Sequence, residues 1–140
     1  MKIGIDYGGT KIEAIALTDQ GEERARLRIA TPRHDYDANI RALSDLVLAL
    51  EQKAGDTAPA VGMGIPGSVS PATGLVRNAN SVWLNGRPLD RDFAAALGRP
   101  VRVANDANCF ALSEATDGAG AGGRIVFGTI TGTGVGGGVI

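Results

Sequence analysis

A run of six residues near the start of the sequence combines a carboxylate, two glycines, a hydroxyl and an ammonium group: Asp6-Tyr7-Gly8-Gly9-Thr10-Lys11. Because glycine has no Cβ, the backbone of Gly8 and Gly9 can approach a ligand, and its N–H groups can surround anionic oxygens. Thr10 adds a hydroxyl donor, and Asp6 is a suitable partner for a hydrated Mg²⁺. The run predicts a binding site for a polyphosphate chain. The alternative is an ordinary glycine-rich hairpin turn.

A second turn of the same kind, Gly132-Thr133-Gly134, lies between two predicted strands near the carboxyl end. Two similar strand–turn–strand units predict two similar domains that grip a polyphosphate between them. We therefore expect residues 1–120 to form one domain and residues 121–140 to open a second, truncated one.

Two better-known glycine motifs match only in part. Residues 4–11 are similar to a P-loop, but Thr10 precedes Lys11 and residues 12–14 continue as a strand where a P-loop opens a helix. Gly132, Gly134 and Gly137 have dinucleotide-motif spacing, but a strand-like segment follows them. A phosphate-binding hairpin turn accounts better for both stretches.

A candidate catalytic carboxylate, Asp106, follows a predicted buried strand and stands where a helix begins. At that position it could take the proton from a sugar hydroxyl as the hydroxyl attacks a γ-phosphate. The alternative is an ordinary helix N-cap. Both roles can coexist in one residue.

The segment between residues 77 and 86 joins several asparagines to the only tryptophan, Trp83. Side-chain amides such as that of Asn80 pair well with sugar hydroxyls, and an indole face can cover sugar C–H groups. The alternative is that Trp83 anchors the core and the asparagines bond the loop backbone. Gly67 would bring backbone close to the same ligand.

Three other reactive side chains are assigned no chemistry. His34 has no neighbouring metal-ligand partner in the sequence and is expected on the surface. Cys109 is expected to be a small core residue, and Glu114 to face solvent or pair with a neighbour.

The elements that must position these residues follow from apolar periodicity. Predicted strands cover residues 2–6, 12–17, 24–29, 61–65, 101–103 and 125–130, followed by a last strand. Predicted helices cover residues 36–53, 90–97 and 107–117, with Asp35 and Asp106 as N-caps and a long irregular loop over residues 68–88. This order predicts an α/β fold in which an antiparallel meander edges an otherwise parallel sheet.

The bulk composition limits the function classes. The chain has 140 residues, 44% of them apolar, and a formal net charge of -1, which fits a soluble domain with a real core. No Lys/Arg cluster suits a nucleic acid, and no apolar run approaches the roughly 20 residues of a membrane span. The single cysteine excludes an internal disulfide and favours a cytoplasmic location.

These motifs, in this order, resemble the ROK family of sugar kinases and repressors within the actin-like ATPase superfamily. The resemblance rests on residues 5–11, 64–67, 105–108 with Glu114, and 132–138. Residues 76–86 look most like bacterial fructokinases, with N-acetylglucosamine kinases as close relatives. The fold that this resemblance implies is an actin-like ATPase (ribonuclease H-like) domain.

The resemblance also implies roles for individual residues. It implies that Asp106 is the general base and that Asp6 helps to place Mg²⁺ through water. Contacts to ATP phosphates are implied for Gly8, Gly9, Thr10, Lys11, Gly132, Thr133 and Gly134. Contacts to the sugar are implied for Gly67, Asn80, Asn105 and Asp106.

The expected reaction is phosphorylation of a hexose, with fructose to fructose 6-phosphate as the first choice. The alternatives are N-acetylglucosamine, mannose or glucose kinases, or a non-catalytic sugar-sensing module. Family kinases continue with a Glu-x-Gly-His segment, an adenine pocket and a structural zinc site, so any zinc is expected only in the missing carboxyl-terminal part. We expect the 140 residues alone to be inactive, the protein to be a homodimer, and residues 123–140 to pair with another chain or be disordered.

Overall fold

The computed structural model describes residues 1–131 and 135–140. The second glycine turn, Gly132-Thr133-Gly134, lies outside the described residues, and so do its predicted phosphate contacts.

The first three strands form the expected antiparallel meander: β1 (Lys2–Tyr7), β2 (Lys11–Leu17) and β3 (Glu23–Ala30). Alternation along β1 buries Ile3, Ile5 and Tyr7 on one face of the sheet. Gly4 and Asp6 therefore face the other side. The period of two in the sequence thus fixes which side of the sheet Asp6 occupies.

Two parallel strands, β4 (Val61–Ile65) and β7 (Val101–Asn105), extend this sheet beyond β1. The strand order is β3-β2-β1-β4-β7, with β1, β4 and β7 parallel. The predicted mixed sheet with an antiparallel edge is confirmed. Parallel strands end at the same edge, so the segments that follow β1, β4 and β7 lie near one another.

Two helices cover the buried face of the sheet: α1 (Tyr36–Ala54) and α2 (Leu89–Leu97). The Asp35 side chain caps α1 by accepting from the Ala38 N–H, as predicted. Gly98 ends α2 in the left-handed conformation that glycine adopts without strain. The core between these layers is built from aliphatic residues of the sheet and α1, together with Leu84, Leu89 and Phe93.

The prediction of an irregular loop over residues 68–88 is wrong in part. A small hairpin joins β5 (Ser68–Val69) to β6 (Val76–Arg77), and a 3-10 helix spans Val82–Leu84. Elements of two or three residues are too short to show a hydrophobic period, so the sequence carries no signal for them.

The last part of the chain comprises α3 (Asp106–Asp117), β8 (Phe127–Thr131) and β9 (Val135–Val139). The two strands pair with each other and contact α3. Apolar side chains of this hairpin are exposed, Val135 at 80% and Phe127 at 67%. The predicted domain boundary near residue 120 and the predicted pairing with another chain remain predictions.

Within residues 1–131 and 135–140, no helix has the length and apolar character that crossing a lipid bilayer requires.

Candidate functional site

The turn between β1 and β2 is closed by one backbone hydrogen bond, from the Gly8 N–H to the Lys11 carbonyl over 2.9 Å. A Cβ built on Gly8 would lie 2.8 Å from that carbonyl oxygen. Side-chain carbons essentially never come so close to a backbone oxygen. Glycine is therefore required at position 8 by the turn itself, before any ligand is considered.

Thr31 donates hydrogen bonds to two carbonyl groups of this turn. Its N–H donates to the Thr10 carbonyl over 3.0 Å, and its hydroxyl donates to the Gly8 carbonyl over 2.7 Å. The N–H groups of Gly9 and Thr10 find no acceptor among the described residues. With the Gly8 and Thr10 carbonyls engaged, the turn presents free N–H donors, which is the arrangement that an anion site needs. Sequence reasoning missed Thr31, whose only signal was a polar side chain before Pro32.

Asp6 and Asp106 approach each other across β4. Strand register pairs Asp6 with Gly64, and a Cβ built on Gly64 would lie 3.6 Å from the Asp106 Cα. Burial, and secondly the charge of Asp106, raise the pKa of the Asp6 carboxyl above its usual range. The two predicted carboxylates therefore line one cavity, with Gly64, which has no side chain, between them.

The start of α3 is organised by Asn105, and the prediction that Asp106 is the N-cap is wrong. Asn105 Oδ1 accepts from the Asn108 N–H over 3.2 Å and is the cap, so Asp106 is the first helical residue. Asp106 Oδ1 accepts from the Ala107 N–H over 2.8 Å and from Asn105 Nδ2 over 3.1 Å. Its Oδ2 has no partner among the described residues and is free for a ligand. Asparagine competes with aspartate as an N-cap, so the sequence alone could not choose between them.

Asn105 also joins α3 to the turn that follows β4. Its Nδ2 donates to the Gly67 carbonyl over 2.9 Å. A Cβ built on Gly67 would lie 2.9 Å from the Ala79 Cα, so the loop over residues 76–86 packs directly on Gly67. Gly67, Asn105 and Asp106 are therefore joined by hydrogen bonds through the Asn105 amide, while their sugar contacts remain a prediction.

The asparagines of this loop have different roles. Asn85 accepts from the Ala79 N–H over 2.9 Å and donates to the Ala79 carbonyl over 3.1 Å. The Asn85 amide therefore stabilises the loop backbone, which was one of the alternatives that the sequence left open. The exposed Asn80 side chain makes no hydrogen bond to the described residues, so its amide is available. Asn85 thereby positions the residue that precedes Asn80.

Trp83 is also mainly an anchor. It packs against the core, and its Nε1 donates to the Tyr7 hydroxyl over 2.8 Å. The exposed His34 ring meets its indole edge-on, with 5.0 Å between ring centroids. His34 therefore lies on the surface as predicted.

Cys109 is not the core residue that we expected. It is exposed and lines a cavity of about 810 Å³ together with Asp6, Gly64 and Asp106. The residue is exposed as a whole, but its Sγ packs toward Gly64, and this partial desolvation, with the charges of Asp106 and Asp6, raises the pKa of the thiol, so it is a poor thiolate nucleophile. Its position follows from α3, which turns residue 109 toward Gly64. Glu114 was expected to face solvent or to pair with a neighbour. Its carboxylate accepts from the Ala119 N–H just beyond the end of α3.

The metal prediction concerns Asp6. No group of three or more metal-ligand side chains occurs among residues 1–131 and 135–140. Mg²⁺ in phosphoryl-transfer sites takes only one or two carboxylates, with water and phosphate oxygens completing its shell. The donor set of Asp6, with Asp106 nearby, fits such an ion.

The mixed five-stranded sheet, with ligand-type residues where its parallel strands end, is an actin-like ATPase fold, as expected. Residues 2–140 match the ROK family, and the chain belongs to that family. This confirms the resemblance drawn from the motifs.

Individual relatives support the same placement. The chain is 42% identical over 140 residues to the N-acetyl-D-glucosamine kinase of Haemophilus influenzae, and 45% identical over 141 residues to that of Escherichia coli O9:H4. Each alignment covers 100% of this chain and 46% of the relative, so the chain spans about half the length of the curated relatives it matches. A ROK glucokinase from Streptomyces griseus, solved with glucose and AMPPNP, superposes with a TM-score of 0.88 at 34% identity. That match covers 99% of this chain and 44% of the glucokinase.

Proposed function

We propose that this chain supplies the half of an ATP-dependent hexose kinase that carries the catalytic base. One observation carries the proposal. Three features lie together at the edge where β1, β4 and β7 end. They are the glycine turn with its free N–H groups, the neighbouring carboxylates of Asp6 and Asp106, and the loop that carries the free amide of Asn80. Phosphoryl transfer needs this combination, because its catalysis consists mostly of positioning and charge stabilisation.

In this proposal the phosphates of ATP bind at Gly8, Gly9, Thr10 and Lys11, with a second set of contacts at Gly132, Thr133 and Gly134. The free N–H groups of Gly9 and Thr10, and the exposed Lys11, support the first set. A Mg²⁺ held through water by Asp6 would neutralise phosphate charge.

The acceptor sugar lies against Gly67, Asn80, Asn105 and Asp106. Asp106 is the general base: its free Oδ2 accepts the proton of the attacking hydroxyl, while its Oδ1 is held by the Ala107 N–H and the Asn105 amide. Fixing one oxygen leaves the other in a defined orientation, which matters more here than a strongly basic carboxylate.

N-acetylglucosamine is the hexose that we propose first. The sequence motifs led us to expect fructose, but the relatives at 42–45% identity are named N-acetyl-D-glucosamine kinases. They favour the alternative over fructokinase. Glucose is the next candidate, because the Streptomyces griseus relative was solved with it.

The test is a coupled ADP-release assay on the complete gene product with N-acetylglucosamine, glucose, mannose and fructose. We expect the highest kcat/KM with N-acetylglucosamine. A higher value with fructose would restore the fructokinase interpretation. Sugar binding by calorimetry without turnover on any hexose would indicate a sensing module.

The 140-residue chain is the matched comparison in the same assay. The relatives are about twice as long, and we propose that their remaining half completes the site, so the chain alone should be inactive. Turnover by the chain alone at the roughly 1–100 s⁻¹ of ordinary kinases would contradict this.

A further inference from the structure

Tyr7 lies where the candidate phosphate turn, residues 8–11, meets the candidate sugar loop, residues 76–86. It is the last residue of β1, directly before Gly8, and is only 1% exposed. Its hydroxyl donates to Asn39 Oδ1 over 2.6 Å and accepts from Trp83 Nε1 over 2.8 Å. One hydroxyl thus links the start of α1 to the loop over residues 76–86.

The acceptor of the Tyr7 hydroxyl, Asn39 Oδ1, is held in a fixed orientation. Asn39 is 0% exposed, and its Nδ2 donates to the backbone carbonyls of Pro32 and Asp35. Those two bonds leave Oδ1 facing Tyr7. Pro32 follows Thr31, which holds the carbonyls of Gly8 and Thr10. The glycine turn is therefore tied to the same network by two routes, through Tyr7 and through residues 31–32.

The sugar loop touches the glycine turn on its other side. A Cβ built on Gly9 would lie 3.4 Å from Ser81 Oγ. Ser81 is 1% exposed and separates Asn80 from the 3-10 helix that carries Trp83. The Ser81 hydroxyl has no hydrogen-bond partner among the described residues. The side chain is therefore held against the turn by close packing. Two polar bonds hold this segment to the sheet: the backbone bond from the Asn80 N–H to the Pro66 carbonyl, and the side-chain bond from Trp83 to Tyr7, which ties it to β1.

We propose that Tyr7 is a positioning residue that sets the distance between the sugar loop and the phosphate turn without touching either ligand. The inference rests on the proposed kinase function. An acceptor hydroxyl must lie in line with the γ-phosphate, and a misplacement of about 1 Å can cost about 10²-fold in rate. A buried hydroxyl bonded to both neighbours provides such a fixed spacing. Burial raises the pKa of Tyr7 to about 12, so the hydroxyl stays protonated and keeps both bonds.

The test is Tyr7→Phe in the complete gene product, which removes the hydroxyl and keeps the ring. We expect kcat to fall and the hexose KM to rise, each by about tenfold, while the KM for ATP stays within about twofold. Tyr36→Phe is the matched control: Tyr36 is 7% exposed, and its hydroxyl donates to Asp92 Oδ2 over 2.8 Å between α1 and α2. It should lose stability without changing either kinetic constant.

Equal kinetic effects in Tyr7→Phe and Tyr36→Phe would overturn the proposal, because the hydroxyl would then be merely structural. If Tyr7→Phe does not fold, Trp83→Phe removes the same hydrogen bond from the loop side. It must reproduce the change in kcat and hexose KM, and unchanged constants would overturn the proposal as well.

Amide hydrogen exchange separates this inference from the kinase proposal. In Tyr7→Phe we expect faster exchange over residues 76–86 and unchanged exchange in the middle of α1, whether or not the protein turns over a hexose. Unaltered exchange over residues 76–86 would show that Tyr7 does not tether the loop. A wild-type protein without hexose turnover would instead contradict the proposed function. The exchange measurement would then still test whether Tyr7 holds the loop in place.

Discussion

Asp6 and Asp106 line one cavity on either side of Gly64, and the charge of Asp106 adds to burial in raising the pKa of Asp6. Like charges held together in a partly desolvated place oppose folding at neutral pH. Their juxtaposition is what a site that binds a cation and a polyphosphate would require.

Replacing Asp6 should therefore stabilise the fold and weaken the activity. Because the pKa of Asp6 is raised above 3.8 in the folded chain, stability from this group is lost as the pH rises through the folded pKa. Asp6→Asn should raise Tm at pH 7, and the gain should shrink at a pH below the folded pKa. In the complete protein it should also raise the Mg²⁺ concentration needed for half-maximal rate.

Differential scanning calorimetry at several pH values measures the stability effect. Asp45→Asn is the control, since Asp45 is an exposed carboxylate on α1. A Tm for Asp6→Asn that is lower than wild type at pH 7 would contradict the account of this pair.

Gly8→Ala should damage the glycine turn. The added Cβ would lie 2.8 Å from the Lys11 carbonyl oxygen, so the backbone must shift, at a cost of about 1–3 kcal/mol in unfolding free energy. We expect the KM for ATP to rise because the N–H groups of Gly9 and Thr10 move. Steady-state kinetics and urea denaturation of the complete protein measure both effects.

Gly4→Ala is the control for this substitution, because its Cβ would meet Ile15 Cγ2 at an ordinary 3.7 Å. It should leave the KM for ATP unchanged. An ATP KM that rises equally in both variants would place the defect in the sheet, not in the turn.

Glu51→Gln tests the ion pair that fixes the ends of α1 and α2. Both guanidinium Nη atoms of Arg99 bond the Glu51 carboxylate at 2.7 Å, and the Ala58 N–H donates to it as well. Glu51 is 7% exposed, so removing its charge should cost about 3 kcal/mol of unfolding free energy at pH 7. The exposed Glu23 gives the control, and Glu23→Gln should change stability little.

The pH dependence of this ion pair has a defined sign. Hydrogen bonds from Arg99 hold the pKa of Glu51 below 4.5, so its contribution is complete above pH 4.5 and is lost as the pH falls through the folded value. Urea denaturation of wild type and Glu51→Gln should therefore converge in acid. A constant difference down to a pH well below 4.5 would contradict the ion-pair account.

The sequence predicted the larger elements because their apolar periods are long enough to read. The alternation of Ile3 and Ile5, the three-and-four spacing in α1, and Gly98 after α2 each matched the structure. The same reasoning failed for β5, β6 and the 3-10 helix, where two or three residues show no period. Side-chain bonds within the loop, such as Asn85 to the Ala79 backbone, and packing of Ala79 on Gly67 define that segment.

At the candidate site, residue types were easier to predict than contacts. Glycine turns and carboxylates at strand ends pointed to Asp6, Gly8 and Asp106, and the structure brings them to one edge. The supporting residues Thr31 and Asn39 are far from that edge in the sequence. Their roles come from side-chain hydrogen bonds that only the folded chain forms, so no sequence spacing could have revealed them.

The most direct test of the whole account is Asp106→Asn in the complete gene product. The asparagine Oδ1 can still accept from the Ala107 N–H, so the start of α3 should be preserved. We predict that the rate of hexose phosphorylation falls about 10²–10⁴-fold while calorimetry shows hexose binding within a few-fold of wild type. Asp117→Asn, at the exposed far end of α3, should keep full activity. Near-wild-type turnover by Asp106→Asn, with hexose binding intact, would show that this carboxylate is not the base.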